Sequence, residues 1–194
     1  IDEKKLSLKD RFLLAKTYQT VISVTKYIEN FQPNNALNSI VRLGNVIEDY
    51  TEGKINKQVF GEAVRNLILI LSPFAPHISE ELWSELGNKK FVSLEKWPVV
   101  SEEKIDKKII ELDNLFQKTV EDISNVIKIT GKKKNAYLYF VTDKELDYFR
   151  ESKVHLEEKL EMKIHEFKVS DSEKYDPQNK SSKAKFGKPG IFLE

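Results

Sequence analysis

The 194 residues include no cysteine, which excludes disulfides and thiolate zinc sites. The three histidines show no metal-ligand or catalytic spacing, so no metal is expected. Apolar runs stop well short of the roughly 18 residues that a membrane helix requires. The first residues also lack the basic-then-apolar layout of a secretory signal. The expected setting is cytoplasmic, with no membrane partner. An excess of either charge is missing as well: 32 lysines and arginines face 31 aspartates and glutamates, for a formal net of +1. The average field therefore does not mark a polyanion binder, and any such affinity must come from local patches. No glycine-rich phosphate loop occurs. Glu80 and Glu81 do not form a convergent acid–base pair, because neighbours on a helix point about 100° apart. What the chain does have is 40% hydrophobic residues, enough to build one large domain or two small ones.

Leu8, Phe12, Ala15 and Ile22, with Leu14, Tyr18, Val21 and Ile28 beside them, recur at helical spacing and predict a helix from Leu6 to Asn30. Pro33 interrupts it and Asn34 offers a cap. Ala36, Ile40, Leu43, Ile47 and Tyr50 then mark a second helix ending near Gly53. Val59, Ala63, Leu67 and Leu71 mark a third, apolar all round in its last two turns and so expected at a bundle centre. Pro73 stops it, Pro76 opens a fourth helix to Leu86, and Gly87 ends that one. Short connections make residues 1–100 an up-and-down antiparallel bundle. Ser101 with Glu102 and Glu103 signals a connecting helix over 101–131, with Ile105, Ile109, Leu112, Phe116, Val120, Ile123 and Ile127 on one face. Residues 132–194 change period. Ala136 to Val141 reads as a strand buried on both faces, and Thr142 with Glu145 has capping-box spacing for a helix to Leu160, broken near Ser152. Ile164 to Val169 and Ile191 to Leu193 are further strands, separated by a polar loop. The expected fold class is mainly α, an antiparallel helical bundle followed by a small α+β domain.

The most specific string is Leu71-Ser72-Pro73-Phe74-Ala75-Pro76-His77-Ile78-Ser79-Glu80-Glu81-Leu82-Trp83. It closely resembles the helix-to-helix corner in the anticodon-binding bundle of class I aminoacyl-tRNA synthetases of the leucine, isoleucine and valine group. Asp10-Arg11-Phe12-Leu13-Leu14 is similar to the opening of that bundle's first helix, with Phe in place of Trp. Tyr27-Ile28-Glu29-Asn30-Phe31 with Asn34-Asn35-Ala36-Leu37 resembles the segment joining helices one and two. Phe91-Val92-Ser93-Leu94 and Trp97-Pro98 resemble the stretch after the corner. Thr119-Val120-Glu121-Asp122-Ile123, Lys174-Tyr175-Asp176-Pro177 and the run from Gly187 to Glu194 look like the tail of archaeal and eukaryotic-type leucine enzymes. The likeness spans nearly the whole chain.

This resemblance implies a complete enzyme that activates leucine with ATP and transfers it to the terminal adenosine of its tRNA. This chain would be a C-terminal part that positions the tRNA. Ile1 in place of an initiating Met fits an excised fragment. The nucleotide-binding signatures of class I active sites, histidine-isoleucine-glycine-histidine and lysine-methionine-serine-lysine-serine, do not occur here. No catalytic residue is therefore assigned, no cofactor is expected for the fragment, and ATP belongs to the full-length enzyme. In the family the leucine bundle leans on the tRNA backbone, and the C-terminal domain engages the long variable arm. That implies recognition of phosphates and shape rather than of base edges. The expected partner is leucine tRNA, bound by a monomer, with other synthetases or translation factors as further partners. Two rival readings are the anticodon-reading arm of an isoleucine or valine enzyme and a protein-interaction module without RNA affinity.

The candidate tRNA contacts are cations. Lys128 with Lys132, Lys133 and Lys134 lies where a helix meets a strand, and each lysine there can neutralise a phosphate. A solvated turn complementing the helix C-terminus explains the same residues, and only the resemblance favours RNA. Lys180, Lys183, Lys185 and Lys188 share a polar loop with serines, Phe186 and Gly187, either a flexible RNA-moulding segment or a mobile surface. Arg42 and Arg65 stand alone in the bundle, to hold phosphates or to pair with Glu48, Asp49 or Glu62. His77 is read as structural or surface, and His155 and His165 as solvated. Trp83 and Trp97 are read as packing residues. Tyr137 and Tyr139 alternate with Leu138 and Phe140, so they either face RNA or are buried against the fifth helix.

Overall fold

The first helix begins where the sequence supplies a cap. In the computed structural model of the chain, which describes residues 1, 6–52, 54–131 and 133–194, Ser7 and Asp10 close a capping box on α1 (Leu8–Glu29). Next come α2 (Pro33–Thr51), α3 (Lys57–Leu71) and α4 (Pro76–Glu85). Asn34 does not cap α2. The cap position falls two residues earlier, on Gln32, with Pro33 as the first helical residue, where the fixed φ suits a helix and the missing N–H goes unused. Asn56 does cap α3, its Oδ1 accepting the N–H groups of Gln58 and Val59. Gly87, at φ +85°, closes α4 as its position in the sequence suggests.

These helices belong to the first of two units, Ile1–Ile110 and Glu111–Glu194. Its core joins Leu13, Val21 and Val24 of α1 with Ala36, Ile40 and Leu43 of α2, and with Val59, Ala63 and Ile70 of α3. Trp97 packs on this core and donates its indole N–H to Thr25 Oγ1 at 2.8 Å. A smaller cluster of Ile68, Leu69, Trp83 and Val92 joins the end of α3 to α4, with Trp83 only 2% exposed. Both tryptophans are packing residues. One buried polar group ties three helix ends together. The Tyr50 hydroxyl donates to Asp10 on α1 and accepts the N–H of Asn56, the cap of α3, at 2.9 Å.

The fifth helix starts later than its acidic prelude suggests. Ser101 caps only a single 3₁₀ turn over Glu102–Lys104, Ile105 is extended, and α5 runs Lys107–Thr130. Asp106 is its cap, accepting the Ile109 N–H at 3.2 Å. Arg11 Nε donates to the same carboxylate at 3.1 Å. Burial alone would raise the pKa of Asp106, but Arg11 and the amides of Ile109 and Lys108 hold it below the ordinary value. The division between units falls inside α5.

In the second unit, β1 (Asn135–Phe140) is the centre of a three-stranded sheet of order β2-β1-β3. β2 (Lys163–Lys168) runs parallel to it, with Tyr137 opposite His165, and β3 (Gly190–Leu193) runs antiparallel, with Tyr139 opposite Gly190. The parallel pair needs a crossover, supplied by α6 (Asp143–Glu151) and α7 (Lys153–Leu160). They meet at Ser152, where a break is expected. Alternation along β1 sends Ala136, Leu138 and Phe140 to the helix side, where Phe140 lies 4.5 Å from Phe149 and Phe149 lies 5.2 Å from Phe116 of α5. Tyr137 and Tyr139 therefore face away from α5. Tyr139 is fully buried under the loop after β2, its hydroxyl donating to the Tyr175 carbonyl.

Candidate nucleic-acid interface

The loop that carries Lys180, Lys183, Lys185 and Lys188 is held, not loose. Asp176 accepts the N–H of Lys180 at 2.7 Å and of Ser181 at 2.9 Å, which fixes a 3₁₀ turn over Lys180–Lys183. Burial alone would raise the Asp176 value, but these bonds and Lys174 hold its carboxyl below the usual range. Lys185 and Lys188 then exchange two backbone hydrogen bonds of 2.9 Å each across a two-residue turn, Phe186-Gly187. Gly187 sits at φ +72°, the left-handed region that a turn of this kind requires at its second position. Its N–H donates at 2.8 Å to Oε1 of Glu145, a carboxylate in a residue only 2% exposed. The flexible loop expected here is thus a pinned basic turn. Phe186 stands at its tip, 77% exposed.

The other lysine cluster lies elsewhere in the same unit. Lys128 is exposed in the last turn of α5, which ends at Gly131 with φ +82°. Lys133 is half-buried and Lys134 exposed, whereas Lys132 lies outside the described residues. The Lys134 N–H donates to the Glu194 carbonyl at 2.9 Å, at the start of β1. Gly190, two residues after Lys188, pairs instead with Tyr139 near the end of that strand. The two clusters approach the sheet from opposite ends, about 17 Å apart along β1 at the usual strand rise.

Between them the sheet presents rings. Tyr137 stacks on His165 at 4.8 Å and 15°, with Tyr175 at 4.9 Å and Phe192 at 5.7 Å. The hydroxyls of Tyr137 and Tyr175 both donate to the Glu194 side chain, at 3.0 and 3.2 Å. Burial and the Glu194 carboxylate raise the pKa of both phenols above the ordinary value. His165 is therefore half-buried in a stack rather than solvated. His155 is likewise half-buried, stacked on Phe116 at 6.2 Å. In the first unit Arg42 is exposed on α2, and the exposed Arg65 holds its guanidinium carbon 5.5 Å from the Trp83 ring centroid. Glu62, a candidate partner for Arg65, accepts Asn66 Nδ2 at 3.0 Å. His77 is exposed in the first turn of α4. Among the described residues, no group of three His, Asp or Glu side chains is placed to hold a metal ion. No helix among them is long and apolar enough to cross a membrane.

The family model described as the anticodon-binding domain of tRNA ligase matches residues 10–159, from the first turn of α1 to the end of α7. The chain belongs to this anticodon-binding family. It is 31% identical over 143 residues to leucine–tRNA ligase 2 of Sulfolobus acidocaldarius, covering 70% of this chain and 15% of that protein. It is 33% identical over 167 residues to leucine–tRNA ligase of Trichormus variabilis, covering 82% of this chain and 17% of that one. Among solved structures it resembles the LeuRS of Agrobacterium radiobacter K84 in its ternary complex with tRNA and LeuAMS. The TM-score there is 0.51 and the identity 31%, over 55% of this chain and 13% of that one. The chain thus spans about a sixth of the length of these relatives. The exposed Phe186 has a local signal in the sequence, a lysine-flanked Phe-Gly pair whose glycine suits a tight turn.

Proposed function

We propose that this chain is the tRNA-positioning arm of a leucine–tRNA ligase. Residues outside it would activate leucine with ATP and carry out the transfer, and the arm itself has no catalytic role. The observation that carries this reading is the likeness over most of the chain to leucine–tRNA ligases, one of them solved with tRNA bound. The pinned basic turn and the exposed Lys128 and Lys134 suit phosphate contacts on the tRNA body and its long variable arm, while Arg42 and Arg65 suit the backbone near the bundle. The protein acts as a monomer in the cytoplasm. A second reading, a protein-docking module for another synthetase or a translation factor, is favoured by one feature. Ile78, Leu82 and Leu86 form an exposed apolar stripe on α4 and its cap.

The test is binding of the 194-residue chain to leucine tRNA, to the same tRNA with a shortened variable arm, and to isoleucine tRNA, each across a salt series. Salt-sensitive binding that weakens on shortening the arm is the expected result. Equal binding to all three reduces the interaction to non-specific electrostatics, and no binding at low salt favours the protein-docking reading.

A further inference from the structure

Phe186 is an apolar ring held out in water, 77% exposed, with Lys185 directly before it and Lys188 just beyond Gly187. A loose loop would let such a ring fold back onto the protein. This one is fixed from below by the paired backbone bonds of Lys185 and Lys188, by the Glu145 carboxylate on the Gly187 N–H, and by Asp176 on the preceding turn. A side chain presented by a rigid support loses little further freedom on binding, which is the arrangement a recognition group needs. The ring has no hydrogen-bonding atom, so what it can offer a partner is a flat face. Lys183, Lys185 and Lys188, all exposed, lie within three residues of that ring and bring positive charge to the same turn.

A face of this kind fits an unpaired base carried on a phosphate backbone. Stacking on an aromatic side chain is open to every base, and adjacent lysines meet the phosphates. A paired base is a poor target, since the deep, narrow major groove of double-stranded RNA does not admit side chains. We infer that Phe186 is a base-stacking finger that takes one unpaired nucleotide of an RNA, with Lys183, Lys185 and Lys188 holding the flanking phosphates. This rests on the reading of the chain as an RNA-binding arm and assigns the point at which it touches a base. A single ring gives too little apolar area to anchor the chain in a lipid surface, so a membrane is the less suited partner.

The experiment uses the full 194-residue chain and a set of leucine tRNA transcripts, each with one 2-aminopurine at an unpaired position. The chain is expected to quench the probe at one position, and F186W is expected to retain the quenching. F186A and F186L lose it and bind roughly 5- to 150-fold more weakly, the loss of one base–aromatic stack. Their salt slope stays that of the unaltered chain, because the phosphate contacts remain. Salt-sensitive tRNA binding with no quenching at any position, or with affinity unchanged in F186A, overturns the stacking finger and leaves the arm reading standing. Absence of tRNA binding by the unaltered chain at low salt overturns both. Binding to phosphatidylserine vesicles that F186A abolishes, with tRNA affinity unaffected, overturns the finger in favour of a membrane contact.

Discussion

The buried carboxylate of Glu145 holds two distant pieces of chain at once: one oxygen closes the capping box on α6 with Thr142, and the other accepts the N–H of Gly187 at 2.8 Å. A cap that serves its own helix is thereby also the anchor of the basic turn. Removing it in E145A leaves the amides of Thr142 and Gly187 without their partner, at a cost of about 1–3 kcal/mol for a buried donor left unsatisfied. The expected result is a lower urea midpoint together with faster amide exchange at Gly187. Unchanged exchange at Gly187 would show that the turn is fixed by its own backbone pairing alone.

Two glycines should respond to alanine in opposite directions. A Cβ on Gly190 would meet the Lys180 carbonyl oxygen at 2.4 Å and the Tyr139 ring at 3.2 Å, so backbone must shift and the seat of the 3₁₀ turn is lost. G190A is expected to destabilise the second unit by about 1–3 kcal/mol, as overpacking does. Gly61 lies inside α3 with nothing within 4 Å of its added Cβ. G61A should stabilise the first unit by about 1 kcal/mol, since alanine is the better helix former. Chemical denaturation of both variants checks the pair of signs.

The features legible in the sequence were those with local causes. Pro73 and Pro76 mark the α3–α4 corner, Thr142 and Glu145 mark the start of α6, and Gly87 and Gly131 mark helix ends, all within a turn or two of what they control. What the sequence did not disclose depends on distant partners. Ser101 looks like the start of α5, yet the cap is Asp106, whose carboxylate is met by Arg11 from 95 residues away. The rigidity of the lysine loop depends on Glu145, 42 residues before Gly187. His165 is stacked because the parallel register of β1 and β2 sets it opposite Tyr137. The same logic applies to the candidate site: the lysines are visible as clusters, but only the sheet topology puts the clusters at opposite ends of β1.

Alkaline pH should unfold both units through their phenols. Burial, then the bond to Asp10, pushes Tyr50 from its ordinary 10.0 up to about 12. Burial also raises Tyr139 and Tyr148 in the second unit. A phenol with a raised folded value keeps its proton in the native state while the unfolded chain has already lost it. Its contribution is therefore complete below pH about 10 and is lost as pH rises towards about 12. Y50F should flatten that alkaline limb. At neutral pH it should cost about 1–3 kcal/mol, because Asp10 and the Asn56 N–H both lose their partner. Thermal melts of both proteins from pH 8 to 12 provide the check, and an unchanged alkaline limb in Y50F would assign the loss to the second unit's tyrosines.

The separation of the two lysine clusters makes their effects on RNA binding divisible. If one RNA segment runs along the sheet between them, both ends carry phosphate contacts. The salt slope should then fall by about 0.7–0.9 for each lysine replaced at either end. If the basic turn alone meets the RNA, the triple variant K183E/K185E/K188E should abolish most of the slope, and the pair K133E/K134E should leave it unchanged. Phe186 stands on the turn and not at the other end, and the turn is the cluster that backbone bonds and Glu145 hold rigid. The expected outcome is therefore a larger loss of slope per lysine from the triple variant than from K133E/K134E. Equal losses per lysine would show that the whole length of the sheet, with the Tyr137–His165 stack at its middle, lies along the RNA.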